Sequence, residues 1–537
     1  MAMCMMFATP AAMAEVTLPS LISDGMVIQR DAPVKIWGKA SPGEEVNVKV
    51  TRKGKNKVNY AKSVSTGADG KWIAEFPAVK PGNPLTITVN DRTVSDVLAG
   101  DVLLCSGQSN MELPVARVTD MFADEIASYS NPAIRQFIVP KEFEFHQALD
   151  DTPSPSAWRM LDQENVMGFS ALAYFTAKDM YENNGGVPVG IINSSWGGTP
   201  VEAWISKEYL ADYPLALNEL AIYEDDGYRE RIKKLEGENY ARWNRTIDSS
   251  DPGLGKQKWY AADLDDSSWP EVEMLSPDWA TDGINPINGS HWFRKDFEVA
   301  ATNAGKEAVV RLGCIVDADS VYVNGVFVGT TGYQYPPRIY KVPAGALKPG
   351  KNNVTVRLIS QNGMPHFVAE KPYKVIFADG SEASLAGNWK YRPGTRMPHG
   401  PGMEFWCYKP TALYNSMISP LRNTAVKGVV WYQGESNVSS RNQYAGLLKT
   451  MIANWRETFS DPDMPFYIVE LADFLHESDR GGRAAWADMR KEQAKVAEET
   501  PGAVLIRNSD LGEWNDIHPL DKKTLGQRVS AAIRGQQ

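Results

Sequence analysis

The chain has 537 residues, 43% of them hydrophobic and 23% charged, with a formal net charge of -10. That length calls for about three to four domains rather than a single core. The acidic balance argues against nucleic acid or an anionic membrane surface as partner, because both are met by concentrated Lys and Arg.

The first fourteen residues, MAMCMMFATPAAMA, are small and apolar and end in Ala12-Met13-Ala14 before Glu15, the shape of a signal peptide (1–14) with an A-x-A cleavage site. It predicts export, to a bacterial periplasm or beyond the cell. No later stretch approaches the ~20 apolar residues that span a bilayer, so no membrane span is expected. Cys4 would leave with the signal. Cys105, Cys314 and Cys407 are too widely spaced for a disulfide framework or a metal set and read as buried apolar side chains.

Residues 15–95 alternate short runs (MVIQR, VKIWGKA, EEVNVKV, KWIAEF, PLTITV) with turn signals (SPGEE, TGADG, KPGNP), which predicts an N-terminal β-sandwich. From DVLLCSG the pattern changes. The run FSALAYFTAKDMYENN has a helical period and stops at Gly185-Gly186, and VPVGIINSS then reads as a buried strand, so 96–245 predicts parallel strands with crossover helices. Residues 246–380 return to β character, with an Asn324-Gly325 hairpin signal, and predict an inserted all-β domain of jelly-roll, galactose-binding-like type. The α/β pattern resumes over 381–537 with strands in VKGVVWYQGESNV, PFYIVEL and GAVLIRN and helices in NQYAGLLKTMIANWRETF, RAAWADMRKEQAKVAEET and LGQRVSAAI.

Polar clusters close three predicted strands: Ser106-Gly107-Gln108-Ser109-Asn110, Ser195-Trp196-Gly197-Gly198-Thr199 and Gln433-Gly434-Glu435-Ser436-Asn437. A fourth, Asn515-Asp516-Ile517-His518-Pro519, precedes the last helix. Ligands of an open parallel sheet bind beyond the carboxyl ends of its strands, so these segments can converge. A serine hydroxyl becomes a nucleophile when a histidine takes its proton and a carboxylate steadies the imidazole. Of six histidines, only His518 has an acid two residues away in a loop just before the final helix.

GQSNM, SSWGGTPVEAW, PTALYNSMISPL, VVWYQGESN and NDIHP, in this order, resemble the sialate O-acetylesterase group of the SGNH hydrolase superfamily, as does the opening LISDGMVIQRDAPVKIWGKASPGEEV. The likeness runs from about residue 18 to the end. It implies an α/β class fold, a flavodoxin-like three-layer α/β/α domain made discontinuous by the inserted β domain. It also implies hydrolysis of acetyl esters on a sugar, with no metal or cofactor. The substrate it implies first is 9-O-acetylated sialic acid; acetylated xylan or another plant glycan is the alternative, and a non-catalytic carbohydrate-binding protein is the reading from another class. Carried over residue by residue, Ser109 is the nucleophile and His518 the base. The oxyanion hole is the Ser109 N–H, Gly198 and a side-chain amide, Gln433 ahead of Asn437. The family acid stands three residues before the histidine, where this chain has Asn515, so Asp516 either orients His518 or the site is a Ser–His dyad. Glu435 is either a helper or a buried acid bonded to the backbone of the nucleophile loop. Trp196, Trp204 and Trp431 read as packing before sugar stacking, and Arg117, Arg159, Arg396 and Arg441 are the cations near motifs that a sialic acid carboxylate would need.

Overall fold

A computed structural model describes residues 15–54 and 56–535; the expected signal segment lies outside them. The chain forms two compact units, one made of residues up to 225 and from 405 onward, the other of 226–404.

The first unit is organised by β1 (Arg92–Gly107), β2 (Asn131–Ile138), β3 (Trp158–Leu161), β4 (Val189–Ser195), β5 (Gly428–Tyr432), β6 (Phe466–Val469) and β7 (Ala503–Ile506). They lie in the order β7-β6-β5-β1-β4-β2-β3, all neighbours parallel except β2 and β3. The strands β4-β1-β5-β6-β7 reproduce the 2-1-3-4-5 order of doubly wound sheets, with β2 and β3 added at one edge. Every residue of β4, β5 and β6 is buried, as expected of parallel strands covered on both faces.

Four helices follow strands of this sheet: α1 (Ala171–Asn183), α2 (Tyr444–Thr458), α3 (Arg480–Glu499) and α4 (Lys522–Ile533). Three begin on residues suited to accept a first-turn N–H: Ser170 from Ala173, Asp479 from Gly482 and Asp521 from Thr524. Helix α1 packs on α4, and α2 on α3.

Strand β1 is long because it changes partners along its length. Its first half pairs antiparallel with Leu85–Val89, and its second half runs between β4 and β5. No linker therefore separates the residues before 95 from those after, and one hydrophobic core runs through both. The N-terminal residues also contain Val58–Ser65, a strand with mostly exposed side chains that carries no alternation in the sequence.

The second unit, 226–404, extends beyond the 246–380 span read from composition at both ends. It begins with the 25-residue helix Asp226–Ser250, and Asn388–Arg396 pairs with Gly289–Val299 in its main sheet. Sheets of six and four strands enclose a core that includes Trp279, Phe293, Val310, Val356 and Val375. The Asn324-Gly325 turn joins paired strands with both residues at positive φ, 48° and 82°, the conformation a tight hairpin needs.

Candidate active site

Gly107 of β1 is in register with both Ser195 of β4 and Tyr432 of β5. The GQSN, WGGT and QGES segments therefore leave the sheet side by side at the level where β1 meets its neighbours. Glycine is required at 107: φ is +131°, and a Cβ would stand 2.1 Å from the Tyr432 carbonyl oxygen. Gln108 then turns the chain, accepting the Gly434 and Ser436 N–H groups on its Oε1 at 3.4 and 3.3 Å, and Ser109 opens the single helical turn Ser109–Glu112.

His518 Nε2 lies 2.9 Å from Ser109 Oγ. The imidazole is buried, and that burial, with the charges of Lys522 and Arg117 added, pushes it down from 6.5 to about 3. It is neutral, as a proton acceptor must be. Asp516 folds back on the same loop: its Oδ1 accepts the His518 backbone N–H at 2.9 Å and stands 3.7 Å from Nδ1. That second distance exceeds a hydrogen bond, so the carboxylate holds the His518 loop through its backbone and stands beside the ring without bonding it.

The WGGT segment is fastened beside the hydroxyl. Trp196 N–H donates to the Gly107 carbonyl at 3.1 Å, and Gly197 N–H to Glu112 Oε2 at 2.6 Å, while Glu112 also pairs with Lys141. Gly198 has φ +78°, and a Cβ on it would fall 1.8 Å from the Tyr408 hydroxyl. Phe405, 53% exposed, is stacked on Tyr408 at 4.8 Å between centroids.

Gln433 does not face this space. It is fully buried, its Nε2 donates to the Thr199 carbonyl at 3.2 Å and to Asn437 Oδ1 at 2.7 Å, and its Oε1 accepts from the Tyr444 hydroxyl at 2.9 Å. With both amide hydrogens committed it braces the QGESN turn against the WGGT turn, which corrects the expectation of an oxyanion donor there. Asn437, the alternative, accepts from Val201 N–H and donates to Glu202 Oε2 at 2.9 Å. Glu435 meets the nucleophile loop through a side chain: its Oε1 accepts from Asn110 Nδ2 at 2.7 Å, and burial raises its pKa.

Trp204 and Trp431 are fully buried and meet edge to face at 6.1 Å, so they are packing, while Trp196 is half-buried. Cys105, in β1, is a buried thiol pushed up to about 12 by desolvation. Of the four arginines, Arg117 is the one whose charge reaches His518. Arg441 faces Asp488, Arg396 pairs with Asp282 in the second unit, and Arg159 is exposed on β3. The sequence reading passed over Asn110, Glu112 and Lys522. Asn110 stands within GQSNM and Glu112 directly follows it, whereas a buried lysine has no sequence signal. Among the described residues no cluster of three or more His, Cys, Asp or Glu is placed to hold a metal ion, and no helix is long and apolar enough to cross a membrane.

A hydroxyl and a neutral imidazole thus meet beyond the carboxyl edge of a doubly wound sheet. The sequence matches the family described as carbohydrate esterase, sialic acid-specific acetylesterase, over residues 99–235 and 398–534, just over half of the chain, and the chain belongs to that family. It is 23% identical to a sialate O-acetylesterase of Rattus norvegicus over 544 residues, covering 96% of this chain and 72% of the relative. A sialate O-acetylesterase of Homo sapiens is 31% identical over 206 residues, 36% of this chain and 39% of the relative. A crystal structure of a carbohydrate acetylesterase from Xanthomonas citri shares the fold, with TM-score 0.56 at 24% identity over 97% of this chain and 75% of that one.

Proposed function

We propose that the protein removes acetyl groups from sugar hydroxyls through an acyl-enzyme on Ser109, within an SGNH-type three-layer domain. The observation that carries this is the 2.9 Å approach of His518 Nε2 to Ser109 Oγ. His518 takes the Ser109 proton as Oγ attacks the acetyl carbonyl carbon. Negative charge collects on the carbonyl oxygen, opposite backbone N–H groups of Ser109 and Gly198, whose fixed dipoles need no reorganisation. The C–O bond to the sugar then breaks, and the departing oxygen takes the proton from His518. Water, deprotonated by the same imidazole, attacks the acetyl-serine and releases acetate.

The sugar moiety would lie on the exposed Phe405 face beside Tyr408. We take 9-O-acetylated sialic acid as substrate, with Arg117, the arginine whose charge reaches the histidine, to meet its carboxylate. An acetylated neutral glycan such as xylan is favoured by another observation. A cavity of about 550 Å³ lined by Tyr408 and Ser436 also has Glu202, Asp212 and Glu219 in its walls, which suits hydroxyls and repels a carboxylate.

Acetate release from 9-O-acetylated sialic acid and from acetylated xylan oligosaccharides, compared between the native protein and Ser109→Ala, tests both points. Ser109→Ala should fold normally and lose about 10³-fold or more of the rate. Undiminished acetate release by that variant would sink the mechanism, and absence of labelling of the native serine by a fluorophosphonate would favour a carbohydrate-binding protein instead.

A further inference from the structure

We propose that Asn110 and Lys522 are positioning residues for the reaction, Asn110 tying the His518 loop to the nucleophile turn and Lys522 fixing which way the Asn110 amide faces. This rests on the reading of Ser109 and His518 as nucleophile and base. Asn110, next to Ser109, is 1% exposed. Its Nδ2 donates to Glu435 Oε1 at 2.7 Å and to the carbonyl of Ile517 at 2.9 Å, and its Oδ1 accepts from Lys522 Nζ at 2.8 Å. Ile517 is the residue before His518. One short side chain thus spans the two segments whose separation sets the Ser109–His518 distance.

An ammonium donates and never accepts, whereas an asparagine amide can be turned either way. With Lys522 at one end, the amide oxygen has to face it, and both amide hydrogens are thereby aimed at Glu435 and Ile517. Lys522 opens α4, is 1% exposed and has the Tyr432 ring centroid 5.4 Å from its Nζ. Burying an ammonium without a partner is costly, and Glu435, on the far side of Asn110, offsets that cost. The second oxygen of Glu435 is buried with no hydrogen-bond partner among the described residues, so its charge is not spent on another group. If folding were all that mattered here, apolar side chains of the same volume could fill this space at no loss.

The charges that face Lys522 are Glu435, Asp516, Glu513 and Asp521; those that act on His518 are Lys522 and Arg117. Removing the Lys522 charge should make His518 more basic, and a fall in kcat at unchanged KM is the readout that a merely structural role would leave unmoved.

Two variants test the proposal by kcat, KM and the pH dependence of kcat/KM on an acetyl ester, with folding checked by near-UV circular dichroism. Asn110→Asp keeps the shape but sets an acceptor against the Ile517 carbonyl and Glu435; kcat should fall about 100-fold with KM little changed. Lys522→Met combined with Glu435→Gln removes both buried charges together and so keeps the balance. It should lower kcat about 10-fold and move the acid limb of kcat/KM upward by about one pH unit. The double variant decides the matter where Asn110→Asp does not fold. Native kcat in folded variants, or a limb that does not move, overturns the proposal. Fluorophosphonate labelling separates the two failures. A native protein that labels at Ser109 while both variants label equally fast refutes the positioning role alone, and a native Ser109 that does not label refutes the serine reading and this proposal with it.

Discussion

Asp516 stands one residue closer to the histidine than the family acid does, and its geometry follows from that shortened spacing. A carboxylate two residues before His518 reaches the backbone N–H at 2.9 Å but stops 3.7 Å from Nδ1. Asp516→Asn keeps an oxygen for the backbone bond and removes the charge. Its kcat should drop about 10- to 100-fold, less than the 10⁴-fold of a triad whose aspartate bonds the ring directly, with little change in melting temperature. An unchanged kcat would make the site a Ser–His dyad. The histidine has its own pH signature. Because its folded pKa is pushed down to about 3, it stays unprotonated through the range where an ordinary imidazole titrates, so kcat/KM should remain level as pH falls through 6.5 and decline only toward that lower value. Stability has the opposite exposure. As pH falls below 6.5 the unfolded chain takes up the proton before the folded one does, so the stability tied to a neutral buried His518 is complete above 6.5 and is lost progressively down to about 3. Urea unfolding of the native protein and of His518→Gln at a series of pH values should show the steeper acid loss in the native chain; parallel curves would refute it.

At the scale of elements, the site depends on how closely β1 and β5 approach at their ends. Gly107→Ala places a methyl 2.1 Å from a backbone oxygen that cannot swing aside, at a φ of +131°. The combined clash and strain should cost about 3 kcal/mol or more, and any folded fraction should lose activity as Ser109 is displaced. Wild-type stability and rate in this variant would show that the ends of these strands can part freely. The elements that form this edge were the ones legible in the sequence. Strands β4, β5 and β6 are covered on both faces and so read as unbroken apolar runs. Val58–Ser65 is mostly exposed and the helix Asp226–Ser250 buries only Trp243 and Ile247, so neither has a pattern to read. Motif order placed Ser109 beside the WGGT and QGES segments, because strand ends in a parallel sheet share an edge, and the family resemblance brought the His518 loop to them. Gln433 was misjudged for a local reason: position at a strand end does not say where a side chain points, and this one is claimed by Thr199, Asn437 and Tyr444. Lys522 was invisible because a lysine in sequence reads as solvated, and only the fold reveals that Asn110 and Glu435 wait for it.

At the scale of the whole molecule, the two compact units have separate hydrophobic cores, one running from the N-terminal strands through the parallel sheet, the other confined to 226–404. Units with their own cores unfold as their own cooperative transitions when little couples them. The second unit offers a clean way to perturb one alone. Arg338 and Asp319 form a fully buried ion pair at 2.6 Å, and the same guanidinium also donates to the carbonyls of Ile315, Asp317, Gln334 and Pro336. Arg338→Met leaves the buried Asp319 charge with the Tyr340 hydroxyl but no cation, a loss of about 3–5 kcal/mol. Every group it disturbs is in 226–404, while Ser109, Asn110, His518 and Lys522 are all held by the other unit. Calorimetry of the variant should therefore show one transition moved to lower temperature and a second left in place. Acetate release, assayed below the shifted transition, should stay within about two-fold of the native rate. A single transition moving as a whole, with activity lost in proportion, would mean that the two cores fold as one cooperative body.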